Sequence, residues 1–239
     1  MITTLKKYEG HHIDNQIEQD HIISEYLGTF ERKMLIFENY WTEEFFTNDL
    51  SVKPFFENIG NILVNNLPVQ VAHRYFDSEK SLSNYVKIPD GLIWKDASVW
   101  GTSVFYIGSH GSKTGLDTTL GTISKDQLLD TFRGLGDLFP NILYFGSCSL
   151  FGQKEGEEFG RELSATSNCR AVLGYKSEHT GFLHSILTDL LFLSRFFGLK
   201  EDPFGRLADL YKSVLKDFPP ANANDIGFTM FLNENYLKK

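Results

Sequence analysis

Two segments of this chain present a reactive side chain directly after a run of apolar residues. The first reads V-F-Y-I-G-S-H-G over 104–111 and presents His110, and the second reads I-L-Y-F-G-S-C-S over 142–149 and presents Cys148. Each run of β-branched and aromatic residues ends at a glycine, as a buried parallel strand does where its loop begins. Two such strands lying side by side would bring the imidazole close to the thiol.

An imidazole beside a thiol is the arrangement that activates a cysteine nucleophile. A thiol near neutral pH is mostly protonated, and the imidazole can remove its proton and later protonate a leaving group. Gly111 has no side chain, so its amide can approach a substrate carbonyl closely, and the amide of Cys148 can be a second donor to an oxyanion. The residues therefore predict a His110–Cys148 dyad with an oxyanion hole formed by the amides of Gly111 and Cys148.

Composition limits the protein class and the compartment. The chain has 239 residues, of which 41% are hydrophobic, enough for one sizeable core. Its net charge of −8 argues against nucleic acid or an anionic membrane as the main partner. No apolar run is long enough to span a bilayer, and the N-terminus lacks the apolar stretch of a signal peptide. Two cysteines, Cys148 and Cys169, make neither a disulfide framework nor a zinc site. We expect a cytoplasmic protein with no metal or cofactor.

Strand patterns alternate with helical patterns from residue 33 onward. The predicted strands are 34–38, 69–76, 104–108, 142–145, 171–175 and 227–232, and the predicted helices are 52–65, 78–86, 157–167, 181–197 and 203–217. Between the third and fourth strands, 118–123 is extended and Ser124 caps a helix over 125–134. This alternation predicts an α/β fold, with a mostly parallel six-stranded sheet and helices on both faces. Residues 1–31 predict an N-terminal helical arm, and 32–239 one domain.

The two motifs resemble those of clan CD cysteine peptidases, which include caspases, metacaspases, paracaspases and prokaryotic CHAT-type relatives. In these proteins the histidine lies in a hydrophobic-S/G-H-G stretch after the third strand, and the cysteine follows the fourth strand behind a small residue. The resemblance implies a caspase-like three-layer sandwich, with His110 as general base and acid and Cys148 as nucleophile. It also implies that the amides of Gly111 and Cys148 form the oxyanion hole. The implied activity is an endopeptidase that acts on a protein or peptide substrate.

The sequence departs from true caspases in three respects. Caspases carry Q-A-C-[RQG]-G around the cysteine, whereas this chain reads G-S-C-S-L, and the interval from His110 to Cys148 is shorter than the roughly 50 residues of caspases. No linker separates a large from a small subunit. These departures favour the bacterial-type caspase-like proteins, which act as switched effectors in stress or antiphage defence. The resemblance then implies an activating partner protein.

Substrate specificity is predicted from the regions that form the primary pocket of the family, after the first strand and around the fifth. Those regions offer Glu38 and Glu178, with Glu43 and Glu44 nearby. Acidic side chains there would select Arg or Lys as the residue before the cleaved bond (P1). Lys176 opposes this selection, so Asp or a small residue at P1 remains an alternative.

Two other functions remain open. The chain can be a catalytically silent caspase-like scaffold or ligand-binding module that uses the same cleft, or a thiol hydrolase that acts on small esters. The segment G-S-C-S-L lacks the second glycine of a G-x-S-x-G elbow, which argues against an α/β-hydrolase. Asp117 follows His110 closely, but the family needs no third catalytic residue, and His73 and Cys169 are interpreted as structural.

Overall fold

The computed structural model describes most of the chain beyond residue 31. The described residues are 32–39, 51–59, 69–88, 90–96, 99, 101–138, 142–178, 180–200, 203–222 and 226–237. The arm predicted for 1–31 lies outside them, as do Glu43 and Glu44.

The centre of the fold is a six-stranded sheet. The described residues form nine strands in two sheets: β1 (Lys33–Glu38), β2 (Gln70–Tyr75), β3 (Val104–Gly108), β4 (His110–Gly111), β5 (Gly115–Thr118), β6 (Gly121–Ser124), β7 (Ile142–Gly146), β8 (Ala171–Tyr175) and β9 (Phe228–Leu232). The large sheet has the order β2-β1-β3-β7-β8-β9, and β4, β5 and β6 form a separate three-stranded sheet. The first five strands of the large sheet are parallel, and β9 pairs antiparallel with β8 at one edge. This confirms the predicted mostly parallel six-stranded sheet.

Helices cover both faces of the large sheet. They are α1 (Lys53–Glu57), α2 (Glu79–Val86), α3 (Lys125–Thr131), α4 (Leu135–Leu138), α5 (Gln153–Ser167), α6 (Phe182–Gly198), α7 (Leu207–Asp217) and α8 (Glu234–Leu237). Alternate strand residues point to opposite faces, so one core packs against α2, α3 and α5 and the other against α1, α6 and α7. This is the layering of a three-layer sandwich. Among the described helices, none combines the length and apolar character needed to cross a membrane.

Several element boundaries differ from the prediction. The extended segment predicted at 118–123 is a hairpin, in which β5 and β6 pair around a turn at residues 119–120. The helix predicted at 157–167 begins about one turn earlier, at Gln153. Two residues inside this helix, Gly156 and Gly160, must be glycine. A Cβ at these positions would meet Phe151 and Phe231 at 2.5 and 2.3 Å. These glycines allow close packing and do not end the helix, so the predicted start directly after Gly156 was too late.

A buried carboxylate lies between the large sheet and α6. Tyr106, Tyr144 and Tyr175, from the adjacent strands β3, β7 and β8, all donate hydroxyl hydrogen bonds to Asp189. Asp189 has no exposed surface, and burial raises the pKa of its carboxyl from 3.8 to about 6 although the three hydrogen bonds act to lower it. A Cβ at residue 146 would lie 1.9 Å from the Tyr106 hydroxyl. Glycine is therefore required at Gly146 to admit this hydroxyl.

The raised pKa of Asp189 predicts a fold that is most stable when this carboxyl is protonated. A pKa of 3.8 in the unfolded chain and about 6 in the fold corresponds to about 3 kcal/mol. That contribution is complete below the unfolded-state pKa and is lost as the pH rises through about 6. We expect the free energy of unfolding of the wild type, relative to that of Asp189→Asn, to fall by about 2 kcal/mol between about pH 4 and pH 7. Urea denaturation at each pH measures this difference, and a constant difference would contradict the prediction.

Candidate functional site

The register of two neighbouring strands places His110 and Cys148 at equivalent positions beyond the ends of those strands. Strands β3 and β7 are parallel and pair from Val104 opposite Ile142 to Gly108 opposite Gly146. His110 and Cys148 each lie two positions beyond this pair of glycines. Adjacent strands are about 4.8 Å apart, so the two functional residues leave the same edge of the sheet at equivalent positions.

The backbone of the histidine loop contacts the backbone of the cysteine loop. A Cβ built on Gly111 would lie 2.1 Å from the carbonyl oxygen of Cys148 and 3.0 Å from the Cβ of Ser147. Only glycine permits this approach without movement of one loop. Ser147 itself is buried, and its Oγ has no hydrogen-bond partner among the described residues.

The small β-sheet positions His110. Its strand β4 pairs antiparallel with β5, which places Asp117 directly opposite His110. Ser109 Oγ donates to the Asp117 carbonyl oxygen at 2.5 Å, and Thr122 Oγ1 donates to Asp117 Oδ1 at 2.8 Å. The imidazole is exposed at the mouth of the site. The hairpin therefore fixes the histidine loop while leaving the side chain accessible to a substrate.

The same ladder sets the direction of the Gly111 amide. The Ser112 amide donates to the Gly115 carbonyl at 2.9 Å, which makes these two residues a hydrogen-bonded pair. Pairs alternate in an antiparallel ladder, so Gly111 and Leu116 form a non-hydrogen-bonded pair. The Gly111 amide therefore points away from β5, as a donor to a bound carbonyl oxygen must.

Cys148 is half-buried and its thiol is engaged by the chain itself. The Sγ atom donates to the carbonyl oxygen of Thr180 at 3.1 Å. Burial raises the pKa of the Cys148 thiol from 9.0; the hydrogen bond to Thr180 partly offsets this, and the charge of Asp189 adds slightly to it. In this arrangement the thiol is protonated at neutral pH.

Hydrogen bonds join the loop after Cys148 to the loop after β8. Ser149 has a positive φ of 61°, and the Leu150 amide donates to the Cys148 carbonyl at 2.7 Å, the features of a strained γ-turn. The Ser149 amide donates to the Ser177 carbonyl at 2.9 Å. Thr180 Oγ1 donates to the same Ser177 carbonyl at 3.1 Å. The position of the thiol is thus coupled to those of Ser177 and Thr180.

The two acidic residues predicted for the substrate pocket both have partners within the chain. Glu38 has no exposed surface, and its carboxylate accepts hydrogen bonds from Ser51 Oγ at 2.7 Å and the Val52 amide at 2.8 Å and lies 2.7 Å from His73 Nε2. Glu178, in the loop after β8, forms a 2.5 Å ion pair with Lys113 in the turn after β4. Glu38 thus holds the fold together beside the site, and Glu178 bridges two loops at its mouth.

The interpretation of His73 and Cys169 as structural residues agrees with their surroundings. His73 packs against the buried Glu38 carboxylate, and Cys169 has no exposed surface. Within the described part of the chain, no three His, Cys, Asp or Glu side chains gather as a metal ion would require.

Two contacts of the site were missed by the sequence reasoning. The carbonyl of Thr180 leaves no signal in the sequence, because any residue has a carbonyl and only the fold brings this one to Cys148. Asp189 did leave a signal. It is a carboxylate inside an otherwise apolar helical stretch, and three of the predicted strands carry a tyrosine on the face that packs against that helix.

Replacement of Gly111 tests the contact between the two loops. In Gly111→Ala the new methyl group would collide with the Cys148 carbonyl oxygen, so we expect a loss of about 1–3 kcal/mol in the free energy of unfolding. Gly205→Ala is the matched control, because a Cβ at Gly205 meets nothing within 4 Å, and its effect should stay within about 1 kcal/mol. Denaturation of both variants measures the difference. Equal stabilities would show that the loops do not touch.

The two cysteines should differ sharply in reactivity. Iodoacetamide is expected to alkylate Cys148 in the native protein and to leave Cys169 unmodified, because only Cys148 has exposed surface. The rate at Cys148 should still increase above about pH 9, since the thiolate is the nucleophile and burial raises the pKa of this thiol. Peptide mass spectrometry over a pH series measures both rates. A rate that levels off near neutral pH would mean that the resting protein already contains a thiolate.

Comparison with family models and with curated proteins identifies no relative of this chain. No protein-family model matches the chain, and no curated protein matches it significantly. What the structure establishes is an α/β fold with a mixed six-stranded sheet, in which the segments that carry His110 and Cys148 follow adjacent parallel strands at the carboxyl edge.

Proposed function

We propose that this protein is a cysteine endopeptidase of the caspase-like type, in which Cys148 is the nucleophile and His110 the general base and acid. The observation that carries the proposal is the register of β3 and β7, which puts the two residues at equivalent positions beyond Gly108 and Gly146. The contact of Gly111 with the Cys148 backbone supports it further, because it gathers the imidazole, the thiol and two candidate amide donors in one place.

The reaction begins with transfer of the Cys148 proton to His110. The sulfur attacks the carbonyl carbon of the scissile peptide bond, and the negative charge that develops on the oxygen is stabilised by the amides of Gly111 and Cys148. His110 then donates its proton to the leaving amine, and the carbon–nitrogen bond breaks to leave an acyl-enzyme thioester. A water molecule deprotonated by His110 attacks this thioester, which releases the acid product and restores the thiol.

The thiol must leave Thr180 before it can react. A protonated thiol donates to the Thr180 carbonyl, but a thiolate has no proton to donate and is repelled by that oxygen. The S–H bond therefore turns from Thr180 to His110 before the proton is transferred, and repulsion by the Thr180 oxygen then keeps the thiolate directed towards the substrate carbonyl. Because Thr180 is hydrogen-bonded to Ser177 and Ile226, a change in this loop would alter how readily the thiol is released.

An activating partner protein would act most directly on this loop. The Lys113–Glu178 ion pair joins the loop to the turn after β4 and is about half-exposed, so a partner surface can compete for either charge. Exposed ion pairs contribute little stability, about 0–1 kcal/mol. A partner that breaks this one and moves residues 177–180 would release the thiol at small cost.

The same thiol contact favours a second candidate function. A cysteine whose proton is held by a backbone carbonyl and whose pKa is raised by burial also fits a catalytically silent scaffold that binds a protein or small ligand in the cleft. The two candidates differ in whether His110 and Cys148 are required for peptide-bond cleavage.

Cleavage of unfolded protein substrates distinguishes them. We expect the wild-type chain to cut denatured proteins, and Cys148→Ala and His110→Ala to lose at least about a thousandfold in rate. His184→Ala is the matched control, because His184 is exposed on α6 and should retain full activity. Mass spectrometry of the fragments measures the rate and identifies the bonds cut. Equal cleavage by wild type and Cys148→Ala would identify a contaminating peptidase and support the scaffold.

A further inference from the structure

The acidic residues beside the site are arranged to hold the protein together. The Glu38 carboxylate is fully buried between three partners. A basic substrate side chain could reach it only by displacing groups that the folded chain supplies. Glu178 would have to exchange Lys113 for the substrate. Glu38 is closed to a substrate and Glu178 is shared with Lys113, so we consider the uncharged surface that begins near Cys148.

That surface is formed by the first turns of α1 and α6. It consists of Phe55, Phe182, Leu183 and Leu187, which we call the apolar patch. Phe55, Leu183 and Leu187 are 39%, 63% and 42% exposed. Phe182 packs edge-to-face on Phe55 with ring centroids 6.1 Å apart. Exposed apolar side chains grouped on one part of the surface mark binding sites more often than single exposed residues do.

The apolar patch is continuous with the candidate site. Phe182 lies only two residues beyond Thr180, whose carbonyl oxygen is 3.1 Å from Cys148 Sγ. Two residues of extended chain span at most about 7 Å, and successive residues of an extended peptide advance by about 3.3 Å. The Phe182 backbone therefore lies within about 12 Å of Cys148 Sγ, which a large side chain of a residue bound at that sulfur can reach. The helix α1 borders this position from the other side, because Val52, its N-cap, donates to Glu38 at the end of β1.

We propose that the apolar patch binds the side chain of the residue before the scissile bond, and that this residue is a large apolar one such as Leu, Met or Phe. The inference rests on the proposed peptidase function and replaces the basic P1 preference that Glu38 and Glu178 suggested from the sequence. Burial of such a side chain removes exposed aromatic and aliphatic surface on both partners. A basic side chain at the same place would lose water and would have to compete with Lys113 for Glu178.

Peptidyl chloromethyl ketones test this inference on the whole chain, because they alkylate a catalytic cysteine without needing turnover. The reagents differ only in the residue before the reactive group: Leu, Phe, Arg, Lys or Asp. We expect the Leu and Phe reagents to alkylate Cys148 at least about tenfold faster than the Arg reagent. Leu183→Glu should abolish that preference. Leu92→Glu is the matched control, since Leu92 is a 54% exposed leucine on a separate 3₁₀ turn, and it should keep the preference.

The outcomes separate failure of this inference from failure of the proposed function. Fastest labelling by the Arg, Lys or Asp reagent, with dependence on His110, would overturn the apolar preference and leave the peptidase intact. Labelling that is absent, or indifferent to both the reagent side chain and His110→Ala, would overturn both. If Leu183→Glu keeps the preference but changes the oligomeric state in size-exclusion chromatography, the patch is a contact between chains and the inference is wrong.

Discussion

The parallel pairing of β3 with β7 is the constraint on which the candidate site depends. All five residues of each strand are buried, so hydrogen bonds and packing on both faces fix the register. Side chains alternate along a strand, and a slip of one residue would exchange the two faces. Tyr106 or Tyr144 would then turn away from Asp189, and His110 would no longer lie level with Cys148. One register therefore determines both the buried polar cluster and the relative positions of the two segments that carry His110 and Cys148.

The buried Asp189 carboxylate links the sheet to the helix that begins beside the site. Three tyrosine hydroxyls satisfy it, and removal of any donor would leave polar atoms without partners in a dry interior. Tyr175 also donates to the Ser185 carbonyl in the first turn of α6 at 3.0 Å, so the sheet holds this helix at two points. Burial is the main cause that raises the pKa of the Cys148 thiol, and the charge of Asp189 adds slightly to it.

The carboxyl edge of the sheet is held by contacts between loops. Glu38 connects the end of β1 to the segment before α1 and to His73 on β2, while Ser149 and Thr180 connect to Ser177. Such cross-links limit how far each loop moves alone. The floor of the site is therefore formed before a substrate binds.

The sequence by itself determined the alternation of strands and helices, the strand that each reactive residue follows, and the glycines that bring the two loops into contact. These are local properties, set by side-chain periodicity and by residues without a Cβ. It did not determine the hairpin of β5 and β6, the start of α5, the partner of the Cys148 thiol or the burial of Glu38. Each of these depends on contacts between residues far apart in the chain, such as Cys148 with Thr180 and Glu38 with His73. Only the tertiary structure decided them, because burial and proximity arise when the layers pack together.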